Sequence, residues 1–191
     1  MTARLDLLAH GASPATRAAR FPDDEALEPS ALSALQALRG RLRPYGHVLA
    51  APARAARETA QALGLDAEVE PALRDCDYGR WRGLASKDVA VREPDAFAAW
   101  LGDPAAAPHG GESIASVIER IGVWLTRALT RERATLAVTH ALVVRAAIVS
   151  ALGAGSPAFA RIDVAPLSLA RLSGHAGRWN VVALGPLGSL S

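Results

Sequence analysis

The chain has 191 residues, half of them hydrophobic, and a formal net charge of +2 at pH 7. That length and composition fit one compact domain with a single core. The small charge excess and its scattered arginines argue against a nucleic-acid surface, and no apolar run approaches the roughly 20 residues that a membrane span requires.

The first residues and the single cysteine bear on the cellular compartment. Residues 1–6 lack the apolar core of a secretory signal peptide, so we predict a cytoplasmic protein. Cys76 is the only cysteine and cannot form a disulfide within the chain, which agrees with a reducing compartment.

The first half of the chain alternates predicted strands and helices, with a polar loop that extends to Glu28 after the first strand. Ser30 is placed to cap the first helix, and Gly40 is placed to end it. The second helix consists of strong helix formers and stops before Gly64. In chain order the predicted elements are a strand at 5–9, a helix from Ser30, a strand at 47–51 and a helix at 54–63.

From Pro71 to Asp103 the pattern becomes irregular, and we interpret this segment as an excursion beside the sheet. Ser113 then opens a longer amphipathic helix, and His140 directly follows the clearest strand. Two final strands are placed to pair across a turn bounded by glycines. The elements predicted here are helices at 86–92 and 95–101, a helix from Ser113, a strand at 135–139, a helix at 142–152 and strands at 167–172 and 179–184.

This alternation predicts a mostly parallel central sheet with helices on both faces, a three-layer α/β/α fold. In such sheets ligands bind outside the carboxyl ends of the strands, where helix N-termini also point. His10, residues 51–52 and His140 all fall at that edge, which favours one shared site over two unrelated structural histidines. Gly11 lets the backbone approach an anion closely.

Further motifs occur in a fixed order along the chain: residues 7–13, which include His10 and Gly11, then 51–60, 73–83, 110–113 and 138–140. Together they resemble the histidine phosphatase superfamily, which includes the cofactor-dependent phosphoglycerate mutases. The resemblance implies one phosphoglycerate mutase-like domain over 1–191, with a substrate-side excursion at about 76–112.

The resemblance also implies a phosphohistidine mechanism. His10 attacks phosphorus as the neutral imidazole, and His140, in its protonated form, donates to the oxygens of the transferring group. Asp75 stands at the family's acid position, where it protonates the leaving oxygen and then activates water. Glu112 and Ser113 line the substrate pocket, and no metal or other cofactor is expected.

Two positions depart from the family pattern. The arginine before the nucleophile is Ala9 here, and the arginine of the second motif falls on Ala55. Both clamp the phosphate in the family, and arginine stabilisation of such a transition state is worth about 10³ to 10⁵ in rate. Arg54, Arg17 and Arg20 are the candidate replacements as phosphate ligands; the alternative is that they are solvated surface charges.

Several residues have a second interpretation. Ser113 and Glu112 are also suited to the N-terminus of the following helix, and His109 fits an exposed loop as well as a substrate contact. Cys76 begins the Cys-x5-Arg spacing of cysteine phosphatases, but the charge of Asp77 disfavours that loop. No metal-ligand spacing is present.

The sequence therefore predicts a metal-independent hydrolase that acts on a small phosphomonoester, without nucleic-acid or membrane partners. A degenerate family member that binds a phosphorylated ligand or partner without turnover is the alternative, motivated by Ala9 and Ala55. A phosphoglycerate mutase ranks third, because the segment between Asp75 and Glu112 is short.

Overall fold

The computed structural model describes residues 3–130 and 133–190; Met1 and Thr2, which belong to the start considered above, lie outside them. Within the described ranges, six strands form one sheet in the order β3-β2-β4-β1-β5-β6. The strands are β1 (Ala3–Ala9), β2 (His47–Ala50), β3 (Glu68–Val69), β4 (Thr135–Thr139), β5 (Ser168–His175) and β6 (Arg178–Pro186).

The parallel part of the sheet consists of β1 to β4, and β5 joins β1 in the antiparallel direction. β1 and β4 are buried along nearly their whole length, which explains why both consist of continuous apolar runs rather than alternating ones. β5 and β6 extend further than predicted, because the chain reverses over Ala176 and Gly177 alone, both with positive φ.

Eight helices accompany the sheet in the described part of the chain. They are α1 (Pro14–Arg17), α2 (Pro29–Ala37), α3 (Arg54–Ala62), α4 (Ser86–Arg92), α5 (Pro94–Gly102), α6 (Ile114–Ala128), α7 (Ala141–Ala151) and α8 (Leu187–Leu190). α2 packs on α3 and α6 packs on α7, and these pairs form the outer layers of the predicted three-layer α/β/α fold.

One predicted helix boundary is wrong. Ser30 does not cap α2; the N-cap is Glu28, which makes no side-chain cap hydrogen bond, and Pro29 is the first helical residue. Proline is favoured at that position because its missing N–H would have no partner there. No helix in the described residues is long and apolar enough to cross a membrane.

The excursion between β3 and α6 has a small core of its own. Phe21, Trp81 and Val89 are buried together, so the loop after β1 packs against α4 and the turn at Gly79–Trp81. The backbone of Phe21 bonds to that of Leu84 and Gly83. This packing fixes the excursion above the carboxyl edge of the sheet.

Candidate active site

The sheet register brings the two histidines together. Ala9 is paired with Thr139 across the parallel strands β1 and β4, so the next residue of each strand emerges at the same edge. The backbone N–H of His10 donates to the carbonyl of Thr139 at 2.8 Å. The rings of His10 and His140 lie edge to face, with centroids 5.0 Å apart.

Burial favours the neutral form of both imidazoles. Burial, and then the nearby His140, lower the pKa of His10, and burial lowers the pKa of His140 to about 4. The Nδ1 of His10 lies 2.7 Å from the carbonyl oxygen of Gly11. Because a carbonyl only accepts, this contact places the proton on Nδ1 and leaves a lone pair on Nε2 of His10.

The sequence predicted a protonated His140. Burial instead favours its neutral form in the unliganded protein, so it would act there as a neutral hydrogen-bond donor. Both of its ring nitrogens are buried and have no hydrogen-bond partner among the described residues. A buried polar group without a partner is costly. A ligand that accepts a hydrogen bond from His140 would remove that cost.

Asp75 stands beside the histidines. Its Oδ2 lies 3.3 Å from Nδ1 of His140, although the pair lacks the geometry of a hydrogen bond, and its Oδ1 accepts from the backbone N–H of Cys76 at 2.9 Å. The Thr139 hydroxyl anchors this segment by donating to the carbonyl of Leu73. Burial raises the pKa of Asp75 to about 6, so the carboxyl can hold a proton in mildly acidic solution.

Arg120, which the sequence analysis missed, holds the Asp75 segment in place. From α6 it makes a bidentate ion pair with Glu112, at 2.8 and 2.9 Å, and it also donates to the carbonyls of Ala72, Arg74 and Asp75. The side chains of Arg120 and Glu112 are 14% and 13% exposed, so the pair is largely desolvated. The available signal was its position on α6, next to the buried face that carries Val117 and Trp124.

A cavity of about 520 Å³ opens over these groups. The charged residues in its wall are Asp24, Glu25, Arg74, Asp75, Asp77 and Arg82, and the small side chain of Ala55 also lines it. Arg74 pairs with Glu112 at 3.1 Å and Arg82 pairs with Asp23 at 2.5 Å. The described wall therefore offers a phosphate no arginine free of a carboxylate partner.

The three arginines proposed as phosphate ligands do not line this cavity. Arg17 forms an ion pair with Glu28 and is 70% exposed. Arg54 pairs through Nε with Glu58 one helical turn further on, at 2.7 Å, and Arg20 is exposed. All three therefore lie at the surface in this structure, and a role for them as phosphate ligands stays a prediction.

Three further assignments change. The N–H of Gly11 donates to the buried hydroxyl of Thr59 at 3.1 Å, so it is not free to bind an anion. Ser113 caps α6 by accepting from the N–H of Ser116. Neither Ser113 nor Glu112 lines the cavity; Glu112 instead binds Arg120.

Neither Cys76 nor His109 behaves as an exposed reactive group. Cys76 is buried, its Sγ lies 3.1 Å from the carbonyl of Glu112, and burial raises the pKa of its thiol, which disfavours the thiolate. His109 is only 2% exposed and packs against Trp100 and Trp81. The expectation of an exposed loop histidine is therefore wrong.

Comparison with known proteins agrees with this geometry. The family model described as histidine phosphatase superfamily (branch 1) matches residues 5–186. A bifunctional protein of Mycobacterium tuberculosis is 36% identical over 131 residues, which cover 64% of this chain and 36% of that protein. The glucosyl-3-phosphoglycerate phosphatase of Mycobacterium tuberculosis is 32% identical over 126 residues, 61% of this chain and 56% of the relative. The match thus spans about a third to just over half the length of these curated relatives.

Solved structures match over nearly the whole chain. A protein described as mycobacterial hydrolase 1 has a TM-score of 0.84 and 25% identity, and the match covers 96% of this chain and 98% of that one. A mycobacterial glucosyl-3-phosphoglycerate phosphatase complexed with VO3 has a TM-score of 0.83 and 26% identity, with 95% and 98% covered.

Proposed function

Since the chain belongs to the histidine phosphatase superfamily, we propose that it hydrolyses a small phosphomonoester through a phosphoryl group carried on His10. The observation that supports this most directly is the lone pair on Nε2 of His10, beside a second histidine whose ring centroid is 5.0 Å away. The ring nitrogens of that histidine, His140, have no hydrogen-bond partner among the described residues. A neutral imidazole is the form that attacks phosphorus.

In the first step, Nε2 of His10 forms a bond to phosphorus while the ester P–O bond breaks. The Asp75 carboxyl, whose raised pKa lets it carry a proton, gives that proton to the leaving oxygen. In the second step, the Asp75 carboxylate takes a proton from water, the water oxygen attacks phosphorus and the P–N bond breaks. Phosphate leaves, and His10 and Asp75 return to their starting states.

His140 contributes by hydrogen bonding. A ring N–H of His140, which has no hydrogen-bond partner among the described residues, donates to an equatorial oxygen of the transferring phosphoryl group, where negative charge concentrates. A bound dianion also favours the imidazolium, so the low pKa of His140 rises when phosphate binds. His140 then supplies part of the positive charge that Ala9 and Ala55 do not.

Binding without turnover is the second candidate, because the shortage of positive charge in the cavity disfavours the transition state. The described part of the wall carries four carboxylates, whereas its two arginines are each paired with a carboxylate. A phosphoryl transition state gains little from such a wall. Both candidates therefore predict a phosphorylated ligand, and they differ in whether the protein hydrolyses it.

The deciding experiment is hydrolysis of a panel of phosphomonoesters in the presence of a chelator, with wild type, His10→Ala and Cys76→Ser compared. We expect activity, and an acid-labile phosphorylated protein, in wild type and Cys76→Ser, and the loss of both in His10→Ala. Activity that survives in His10→Ala would refute the proposal. Absent turnover with phosphate binding, measured by calorimetry, would establish the second candidate.

A further inference from the structure

A second cavity, of about 320 Å³, shares Tyr78 with the histidine cavity. Its wall is mainly apolar and aromatic, with Phe21, Trp100, Leu142 and Phe159 among the lining side chains. Leu142 lies two residues after His140 on the chain, so this cavity adjoins the carboxyl edge of the sheet. Mostly apolar cavities with a few placed polar groups are typical of sites for small organic ligands.

Arg145 is the only charged side chain in the described wall of this second cavity. It extends from α7 over the ring of Phe159, 4.0 Å from its centroid, and Nε and Nη2 donate to the carbonyl of Phe159. In the part of the chain that the structure describes, no carboxylate forms an ion pair with it. Burial lowers the pKa of Arg145, and the charge of Asp163, which forms no ion pair with it, offsets that effect only in part. A half-buried cation whose charge is incompletely compensated is unfavourable, and an anionic ligand offsets that cost.

Tyr78 couples the two cavities electrostatically. Burial raises the pKa of its phenol; the charge of Asp75 raises it further, and the charge of Arg145 acts in the opposite direction. Both charged groups are therefore close enough to act on the same hydroxyl. To reach Arg145 from His10, a ligand would have to extend past Tyr78, the residue that lines both cavities.

We propose that the second cavity binds the leaving-group end of the phosphorylated ligand, and that this end is an apolar or aromatic group carrying a carboxylate that pairs with Arg145. The position of the ligand's phosphoryl group in this inference depends on the proposed function at His10. The position of its carboxylate depends only on the second cavity and Arg145.

The test uses phosphonates, which bind without being hydrolysed. Calorimetry compares 4-carboxybenzylphosphonate with its carboxamide counterpart, which has the same shape but no charge on the ring substituent. We expect wild type to bind the carboxylate about tenfold more tightly, as one charge-assisted hydrogen bond implies. In Arg145→Gln this preference disappears, in Arg145→Lys it is largely kept, and in the control Arg161→Gln, an exposed arginine nearby, it is unchanged.

Equal affinity for the two phosphonates in wild type, or a preference that survives in Arg145→Gln, would overturn the inference. Should neither phosphonate bind, 4-methylbenzoate tests the carboxylate end alone with the same variants, so failure at His10 is distinguished from failure at Arg145. Gly102→Trp is an independent variant, since a Cβ at Gly102 meets nothing within 4 Å and the residue lines the cavity. It should weaken both phosphonates at least tenfold; unchanged affinity would also contradict the inference.

Discussion

Asp75 is the residue whose titration decides the pH range of the proposed reaction. Its pKa is raised to about 6 because the carboxyl is buried, and the first step needs its protonated form. Because burial lowers the pKa of the nucleophile His10, its imidazole stays neutral to a lower pH than that of a free histidine. We therefore expect kcat/KM to be highest in mildly acidic solution and to fall as the pH rises through about 6.

Titration of the substrate affects wild type and Asp75→Asn equally, so a comparison of the two proteins isolates the titration of Asp75. The variant should lose about 10²- to 10⁴-fold in kcat, the usual value of a general acid, and should lack the alkaline limb that wild type shows. The measurement is kcat/KM against pH for both. An alkaline limb of the same shape in Asp75→Asn would assign it to another group.

Arg120 is a positioning residue, because it contacts the carbonyl of Asp75 and the carboxylate of Glu112 rather than the reacting atoms. Its charge also lowers the pKa of Asp75. Arg120→Gln should therefore reduce kcat about tenfold or more, change KM little and move the alkaline limb to higher pH. The matched control is Arg127→Gln, an exposed arginine on the same helix. A lower rate with an unmoved limb would indicate general loosening instead.

At the scale of elements, two close contacts between backbone segments hold the excursion to the site, one at Gly111 and one at Gly79. A Cβ on Gly111 would lie 2.0 Å from the carbonyl oxygen of Asp77 and 2.8 Å from the N–H nitrogen of Gly79. These are backbone atoms, which cannot rotate away. Gly79 itself has φ +48 and approaches the carbonyl of His109.

Gly111→Ala should therefore lower the free energy of unfolding by on the order of 3 kcal/mol, the upper part of the usual range for point mutants. Thermal and denaturant unfolding measure it. Gly102→Ala is the matched control, because its Cβ meets nothing within 4 Å and its φ is not positive. A loss of similar size in both variants would show that close packing at Gly111 is not the cause.

The sequence predicts the elements that local pattern determines. β1, β4 and the helix from Ser86 to Arg92 follow from apolar runs and helix formers, and the placement of His10 and His140 follows from strand order. β3 was missed, because its two residues are exposed and only pairing with β2 makes them a strand.

The arginines show why side-chain partners are harder to predict than elements. Arg54 and Glu58 are four residues apart on one helix, so their ion pair could be derived from the sequence. Arg120 instead bonds to carbonyls 45 to 48 residues away, a contact that exists only after folding. His109 was likewise misjudged, because the aromatic residues that bury it are distant in sequence.

At the scale of the whole molecule, the net charge of +2 conceals an uneven distribution. Arginines are frequent on the surface, whereas the cavity over the histidines has an excess of carboxylates. In this phosphatase fold, the two histidines therefore lie in a cavity whose wall attracts phosphate only weakly. How strongly the protein binds phosphate should depend on a single added charge at the right position.

Ala55 is that position, since it lines the cavity in the first turn of α3 and is only 6% exposed. An arginine there gives phosphate one charge-assisted hydrogen bond, so Ala55→Arg should bind inorganic phosphate about 10- to 100-fold more tightly than wild type. The phosphate-dependent rise in Tm should grow accordingly. Gln61→Arg adds the same charge at the exposed far end of α3 and should leave phosphate affinity within about twofold of wild type, because charges exposed to solvent are screened. If Ala55→Arg and Gln61→Arg respond alike, the shortage of positive charge in the cavity does not limit phosphate binding.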